Sequence, residues 1–230
     1  MRSIDDNLQA VRRRISEAAK AGGRDARDVT LLAVSKTHPA AAVEQALAAG
    51  QRAFGENYVQ EAVEKMDAVK AAPFLPEWHL VGPLQSNKTR LVAERFDWVQ
   101  SVESAKVARR LSEQRPSGLA PLNVLIQLNV SGEASKSGAA PVEVADLAKS
   151  IKALPRLRLR GLMAIPEPGA PRERYSELRA LYEKLKPEFG FDTLSVGMSD
   201  DLELAVAEGS TMVRIGTAIF GARRAMRPAA

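Results

Sequence analysis

The chain has 230 residues, 45% of them hydrophobic and 27% charged, and it contains no cysteine. That length and balance suit one globular domain with a full core, and the lack of cysteine excludes disulfides, thiolate metal sites and cysteine nucleophiles. The net charge of +5 and pI near 9.6 raise the question of nucleic acid, but aromatics make up only 5% and none interleaves with the basic clusters at Arg12-Arg13-Arg14, Arg156 to Arg160, Arg223-Arg224 and Arg227. Without a stacking platform the excess reads as solvated surface.

The first residues, Met1-Arg2-Ser3-Ile4-Asp5-Asp6, have no apolar signal core, and no later stretch approaches a membrane-spanning run. The expectation is a cytoplasmic protein. Ile4, Leu8, Val11 and Ile15 then form an apolar helical stripe that leaves Arg12, Arg13 and Arg14 on the remaining face. From there short apolar runs alternate with amphipathic stretches. Strands are predicted at Leu31–Ser35, Arg52–Phe54, Trp78–Val81, Trp98–Val102, Asn123–Asn129, Arg160–Ile165, Thr193–Val196 and Met212–Ile215. The helices between them are predicted to begin near Pro39, Glu56, Ser86, Ser104, Pro141, Pro171 and Asp200, several on the Pro or Ser that suits a first turn. Eight strands separated by helices predict an α/β fold, a single (β/α)8 TIM barrel over residues 1–230 with an extra N-terminal helix. A doubly wound sheet is the alternative, but no glycine-rich dinucleotide fingerprint follows the first strand.

In such a barrel the functional residues follow the strands. Lys36 ends the first, where partial desolvation would make its amine a Schiff-base nucleophile; a solvated loop lysine is the plainer reading of that run alone. The second strand leads into Asn57, the third contains His79, the seventh leads into Met198 and Ser199, and the eighth carries Arg214, Gly216 and Thr217. Loops after strands seven and eight often cradle phosphate, and Gly216, Thr217 and Ser199 could present amides and hydroxyls to an anion. Ser199 could equally cap a helix over 200–208, in which Asp200 and Asp201 would be first-turn acids. A lysine after strand one and a phosphate cradle after strand eight suggest a phosphorylated aldehyde held across the barrel mouth.

Several segments carry a resemblance. Val34-Ser35-Lys36-Thr37, Phe54-Gly55-Glu56-Asn57-Tyr58, the run Trp78 to Lys88, Gly161-Leu162-Met163-Ala164-Ile165, Gly197-Met198-Ser199-Asp200-Asp201 and Val213-Arg214-Ile215-Gly216-Thr217 resemble the pyridoxal phosphate homeostasis proteins (YggS/PROSC family), single-domain relatives of the alanine racemase barrel. The resemblance implies a Schiff base between Lys36 and pyridoxal 5′-phosphate (PLP), with the phosphate around Ser199, Gly216 and Thr217 and with Met198 also at the cofactor. It also implies Asn57 beside the ring, Arg214 facing the pyridine nitrogen, and Lys136 as a second lysine near the mouth; His79 reads equally as a ring contact or as a satisfied histidine inside the barrel. His38 departs from the family, some members of which carry lysine there.

The same resemblance implies a protein of intracellular PLP homeostasis that holds and hands over PLP, with apo PLP-dependent enzymes as partners. No metal, nucleic acid or membrane is expected, and the state is expected to be monomeric. An arginine stays protonated, so a pyridine nitrogen facing it stays unprotonated and is a poorer electron sink. Only nine residues follow Gly221, too few for the second domain that gives racemases an opposing tyrosine base, so no catalytic residue is assigned. The alternatives are a racemase-like PLP enzyme of unknown substrate, and a barrel that forms a lysine Schiff base with a sugar phosphate.

Overall fold

The computed structural model describes residues 3–69, 75–130 and 137–222; Lys136, Arg223, Arg224 and Arg227 lie outside them. Eight parallel strands close into a barrel in sequence order: β1 Thr30–Val34, β2 Ala53–Glu56, β3 Glu77–Leu80, β4 Trp98–Val102, β5 Leu122–Leu128, β6 Leu157–Ala164, β7 Thr193–Ser195 and β8 Met212–Ile215. β8 closes on β1 with Leu31 opposite Val213 and Ala33 opposite Ile215. Helices α1 Ile4–Ala21, α2 Ala40–Ala48, α3 Val59–Ala68, α4 Thr89–Arg95, α5 Ala105–Gln114, α6 Val144–Lys152, α7 Arg172–Phe189, α8 Leu202–Ala207 and α9 Thr217–Phe220 join them, with 3-10 turns at Ala26–Asp28, Ser86–Lys88 and Pro141–Glu143.

Strand alternation sorts the side chains. On β1, Ala33 belongs to the main core shared with the helices, while Leu32 and Val34 join Ala53, Val81 and Met212 in a separate cluster inside the barrel. Trp98, Leu125 and Met163 form a second interior cluster. The same parity carries on past the strand ends, so Lys36, Asn57, Ile165 and Gly216 continue the inward rows at the carboxyl-terminal mouth.

Three sequence expectations shift. β6 starts at Leu157 rather than Arg160: the apolar-basic alternation there is the strand itself. A bulge follows, since Val124 pairs with Leu159 but Leu125 with Gly161, which leaves Arg160 unpaired. Its guanidinium bonds Asp192 at 2.8 Å and covers the Trp98 ring at 4.6 Å. The helix expected near Glu56 begins at Val59, because Glu56 completes β2 with a fully buried carboxylate. The helix expected from Asp200 is the shorter α8, capped at Asp201, so Ser199 is not its cap.

The extra helix α1 is capped reciprocally by Ser3 and Asp6 and buries Leu8, Val11, Ile15, Ala18 and Ala19 against α2, α8 and α9. Its arginines are not merely solvated. Arg14 bonds Glu203 at 2.6 Å and the Ser199 carbonyl at 2.9 Å, and Arg12 reaches the Ala49 carbonyl. Arg156 likewise donates to the Ser112 carbonyl at 2.7 Å. Much of the positive excess therefore satisfies backbone carbonyls between elements. Among the described residues no helix is long and apolar enough to cross a membrane.

Candidate functional site

The carboxyl-terminal mouth holds a cavity of about 250 Å³, just below the range of about 300–1,000 Å³ usual for drug-sized ligands. Lys36 and Val34 line it from β1, Asn57 from β2, Val81 from β3 and Ile165 from β6. The seventh loop contributes Met198, Ser199 and Asp200; β8 and its loop contribute Arg214, Gly216 and Thr217; His38 and Gly221 complete it. Seven of the eight residues expected at the site thus meet in one cavity.

His79 is the exception. It is fully buried inside the barrel two residues below Val81, stacked on Trp98 at 4.9 Å, and it does not line the cavity. It sits on the inward row of β3, one layer below Val81, as a satisfied histidine inside the barrel. Glu77 holds its Nε2 at 2.8 Å and Gln100 its Nδ1 at 3.0 Å. Burial pushes its pKa down against the pull of Glu77, so the ring is neutral at pH 7. Lys136 lies outside the described residues.

The lysine loop is braced from beneath. Lys65, on α3 and buried, donates to the Ser35 carbonyl at 2.6 Å and to Glu56 Oε1 at 2.7 Å. Ser35 Oγ donates to the same Glu56 oxygen at 2.6 Å. Glu61 accepts from the Thr37 amide at 2.5 Å and pairs with Lys65 at 2.7 Å. Thr37 needs this support: its φ of 63° is left-handed, a conformation costly for a β-branched residue. Residues 35 and 37 are thereby fixed on either side of Lys36. The sequence reading missed this brace, although Glu61 and Lys65 stand at the i,i+4 spacing of a helical ion pair.

Arg214 is held as firmly. Its Nη1 donates to the Ser195 carbonyl and hydroxyl, both at 2.8 Å, and its Nη2 to the Ala164 carbonyl at 2.8 Å. Burial pushes its pKa down to about 10, so it remains a cation at neutral pH while sitting well below an ordinary arginine. Close approach explains two glycines. A Cβ on Gly82 would lie 2.3 Å from the Asn57 carbonyl oxygen, and one on Gly216 would lie 3.1 Å from that of Val34. The first lets the Asn57 loop pass the third; the second lets the eighth strand's exit lie against the first. Asp201 is not free for catalysis: its carboxylate accepts from the Met198 amide and the Tyr175 hydroxyl, each at 2.5 Å.

The arrangement offers one primary amine, one buried guanidinium, an amide side chain, two hydroxyls, the His38 imidazole and the Asp200 carboxylate around a small concave volume. That donor set fits a ligand with an aldehyde, a ring nitrogen and a phosphate. Among the described residues there is no cluster of three metal-ligating side chains.

Comparison with known proteins agrees with this geometry. The family model described as "Alanine racemase, N-terminal domain" matches residues 6–224. The pyridoxal phosphate homeostasis protein of Pseudomonas aeruginosa is 59% identical over the whole of both chains. That of Escherichia coli K12 is 55% identical over 97% of this chain and 98% of its own. PipY of Synechococcus elongatus, solved with PLP bound, superposes with a TM-score of 0.82 at 36% identity, over 95% of this chain and 100% of that one. The chain therefore belongs to the alanine racemase N-terminal domain family and, within it, to the pyridoxal phosphate homeostasis proteins.

Proposed function

We propose that this chain binds PLP at the barrel mouth as a Schiff base on Lys36, and serves intracellular PLP homeostasis by holding and releasing the cofactor rather than by turning over an amino acid. The observation that carries the reading is the convergence of Lys36, Arg214, Ser199, Gly216 and Thr217 on one cavity. PLP supplies an aldehyde that condenses with a primary amine and a pyridine ring that can act as an electron sink. Lys36, at the cavity wall, would give up its ammonium proton and be the amine that holds the aldehyde carbon. Ser199, Gly216 and Thr217 would hold the phosphate, Asn57 would border the ring, and Met198 would line the same cavity. Arg214, held as a cation, would face the pyridine nitrogen and leave it unprotonated, which would disfavour carbanion chemistry.

The tyrosines support a carrier. Two-face proton transfer needs a base opposite the lysine, and none of the three tyrosines is placed for it. Tyr58 is exposed outside the cavity lining, Tyr175 donates to Asp201 and Tyr182 is packed in the core. The carrier acts as a cytoplasmic monomer and passes PLP to apo PLP-dependent enzymes. Borohydride reduction followed by peptide mass spectrometry tests the anchor: a phosphopyridoxyl adduct on the Lys36 peptide is expected. No adduct after soaking in PLP would refute the reading, and Lys36-dependent racemase or decarboxylase turnover by the pure protein would replace the carrier with an enzyme.

A further inference from the structure

A single row of hydrogen bonds runs through the barrel from the cavity to the opposite mouth. Arg214 Nη1 donates to Ser195 Oγ at 2.8 Å, and Ser195 Oγ donates to Gln100 Oε1 at 2.8 Å. Gln100 Nε2 meets His79 Nδ1 at 3.0 Å, and His79 Nε2 meets Glu77 Oε1 at 2.8 Å. Glu77 stands at the amino-terminal end of β3 with its side chain 46% exposed, whereas His79, Gln100 and Ser195 are fully buried.

The direction of every bond follows from the groups. The Glu77 carboxylate only accepts, which puts the His79 hydrogen on Nε2 and leaves Nδ1 to accept from the Gln100 amide, whose second hydrogen points to Met212 Sδ at 3.1 Å and whose carbonyl then faces Ser195. Ser195 gives its one hydrogen to that carbonyl and has only lone pairs for Arg214. The row is polarised in one sense from a buried cation to a carboxylate at the far end, and such chains strengthen one another in a low-dielectric interior.

We propose that Gln100, fixed in orientation by His79 and Glu77, is a positioning residue that acts through Ser195 to set the placement and polarity of Arg214 at the pyridine end of the bound cofactor. The inference rests on the PLP reading for its last link; the row of residues itself does not.

The test uses the full chain, apo and reconstituted with PLP. In the apo protein, nitrogen-15 correlation spectra of the two imidazoles should find His79 neutral with its hydrogen on Nε2. Gln100→Leu should move its Nδ1 signal toward that of an unbonded ring nitrogen. A hydrogen on Nδ1 in the unmodified chain would overturn the polarity and with it the proposal. In the reconstituted protein, Gln100→Leu should keep the borohydride-trapped Lys36 adduct at full yield. The absorbance maximum of bound PLP and its pH midpoint should nevertheless shift in the same direction as in Arg214→Lys. Full adduct with an unshifted spectrum would overturn the inference and leave the PLP reading intact. No adduct in the unmodified chain would refute the PLP reading, and the His79 spectra would still judge the row. Should Gln100→Leu fail to fold, Ser195→Ala cuts the same row one link nearer Arg214 and is read in the same way.

Discussion

Lys65 Nζ lies 2.7 Å from Glu56 Oε1 and 2.6 Å from the carbonyl of Ser35, the residue before Lys36. Lys65 and Glu56 are buried and Glu61 beside them is partly exposed, and together they hold the backbone on either side of Lys36. Glu56 Oε2 has no partner, and burial pushes the Glu56 carboxyl up against the opposing pull of Lys65. The pair is retained here as a brace, not as a large net source of stability, since desolvation offsets much of its attraction.

Removing one member should therefore cost far more than the pair contributes. Lys65→Met leaves a buried carboxylate without its cation and is expected to destabilise by about 3–5 kcal/mol. The double variant Lys65→Met with Glu56→Gln should regain part of that loss. Urea unfolding of the three proteins decides it; a loss under about 1 kcal/mol for Lys65→Met would show that the charge is solvated in solution.

Arg214→Ala removes donors from the Ser195 and Ala164 carbonyls. It should lower stability by about 1–3 kcal/mol while the Lys36 adduct still forms, because the amine and the phosphate-side residues are untouched. The spectrum of bound PLP should change. An unchanged spectrum places the guanidinium away from the ring.

The buried His79 gives a pH signature of definite sign. Its folded pKa is lowered, so the unfolded chain takes up a proton first as pH falls. Its contribution to stability is present above the ordinary histidine value of about 6.5 and is lost as pH drops below that toward the folded value. Glu77 and Asp97 oppose this lowering and Arg160 adds to it, with desolvation the largest cause. His79→Gln should flatten the dependence of unfolding free energy on pH as pH falls below about 6.5, by up to about 1.4 kcal/mol per pH unit. Identical slopes would mean that His79 is accessible to protons in the native state.

The eight strands were legible because parallel barrel strands are buried on both faces and read as short apolar runs. Lys36 and Gly216 were legible from their places just past the first and eighth strands, whereas the roles of Asn57 and Arg214 came from the resemblance. Depth within the barrel was not legible: His79 and Val81 share one row, and nothing in the sequence says which of the two reaches the mouth. Nor was the brace under Lys36, since Glu56 and Lys65 look like ordinary solvated charges until the turn after β2 folds them inward. The bulge in β6 was hidden for a similar reason, because Arg158 and Arg160 kept an alternating pattern across a step where pairing slips by one.

That bulge makes Gly161 the most position-bound residue outside the cavity. Its φ is 148°, and a Cβ would stand 1.9 Å from the Thr193 carbonyl oxygen on β7. Backbone strain of about 1–3 kcal/mol adds to a clash with main chain that cannot rotate away. Gly161→Ala should thus cost about 3 kcal/mol or more and disturb the pairing of β6 with β7, where Gly161 faces Thr193 and Met163 faces Ser195. Ser195 carries Arg214, so the damage should travel to the cavity: thermal unfolding should shift down, and PLP affinity should fall although no cavity residue has changed. A variant with native stability would require β6 to shed its bulge, and amide exchange across β6 and β7 would show the altered register.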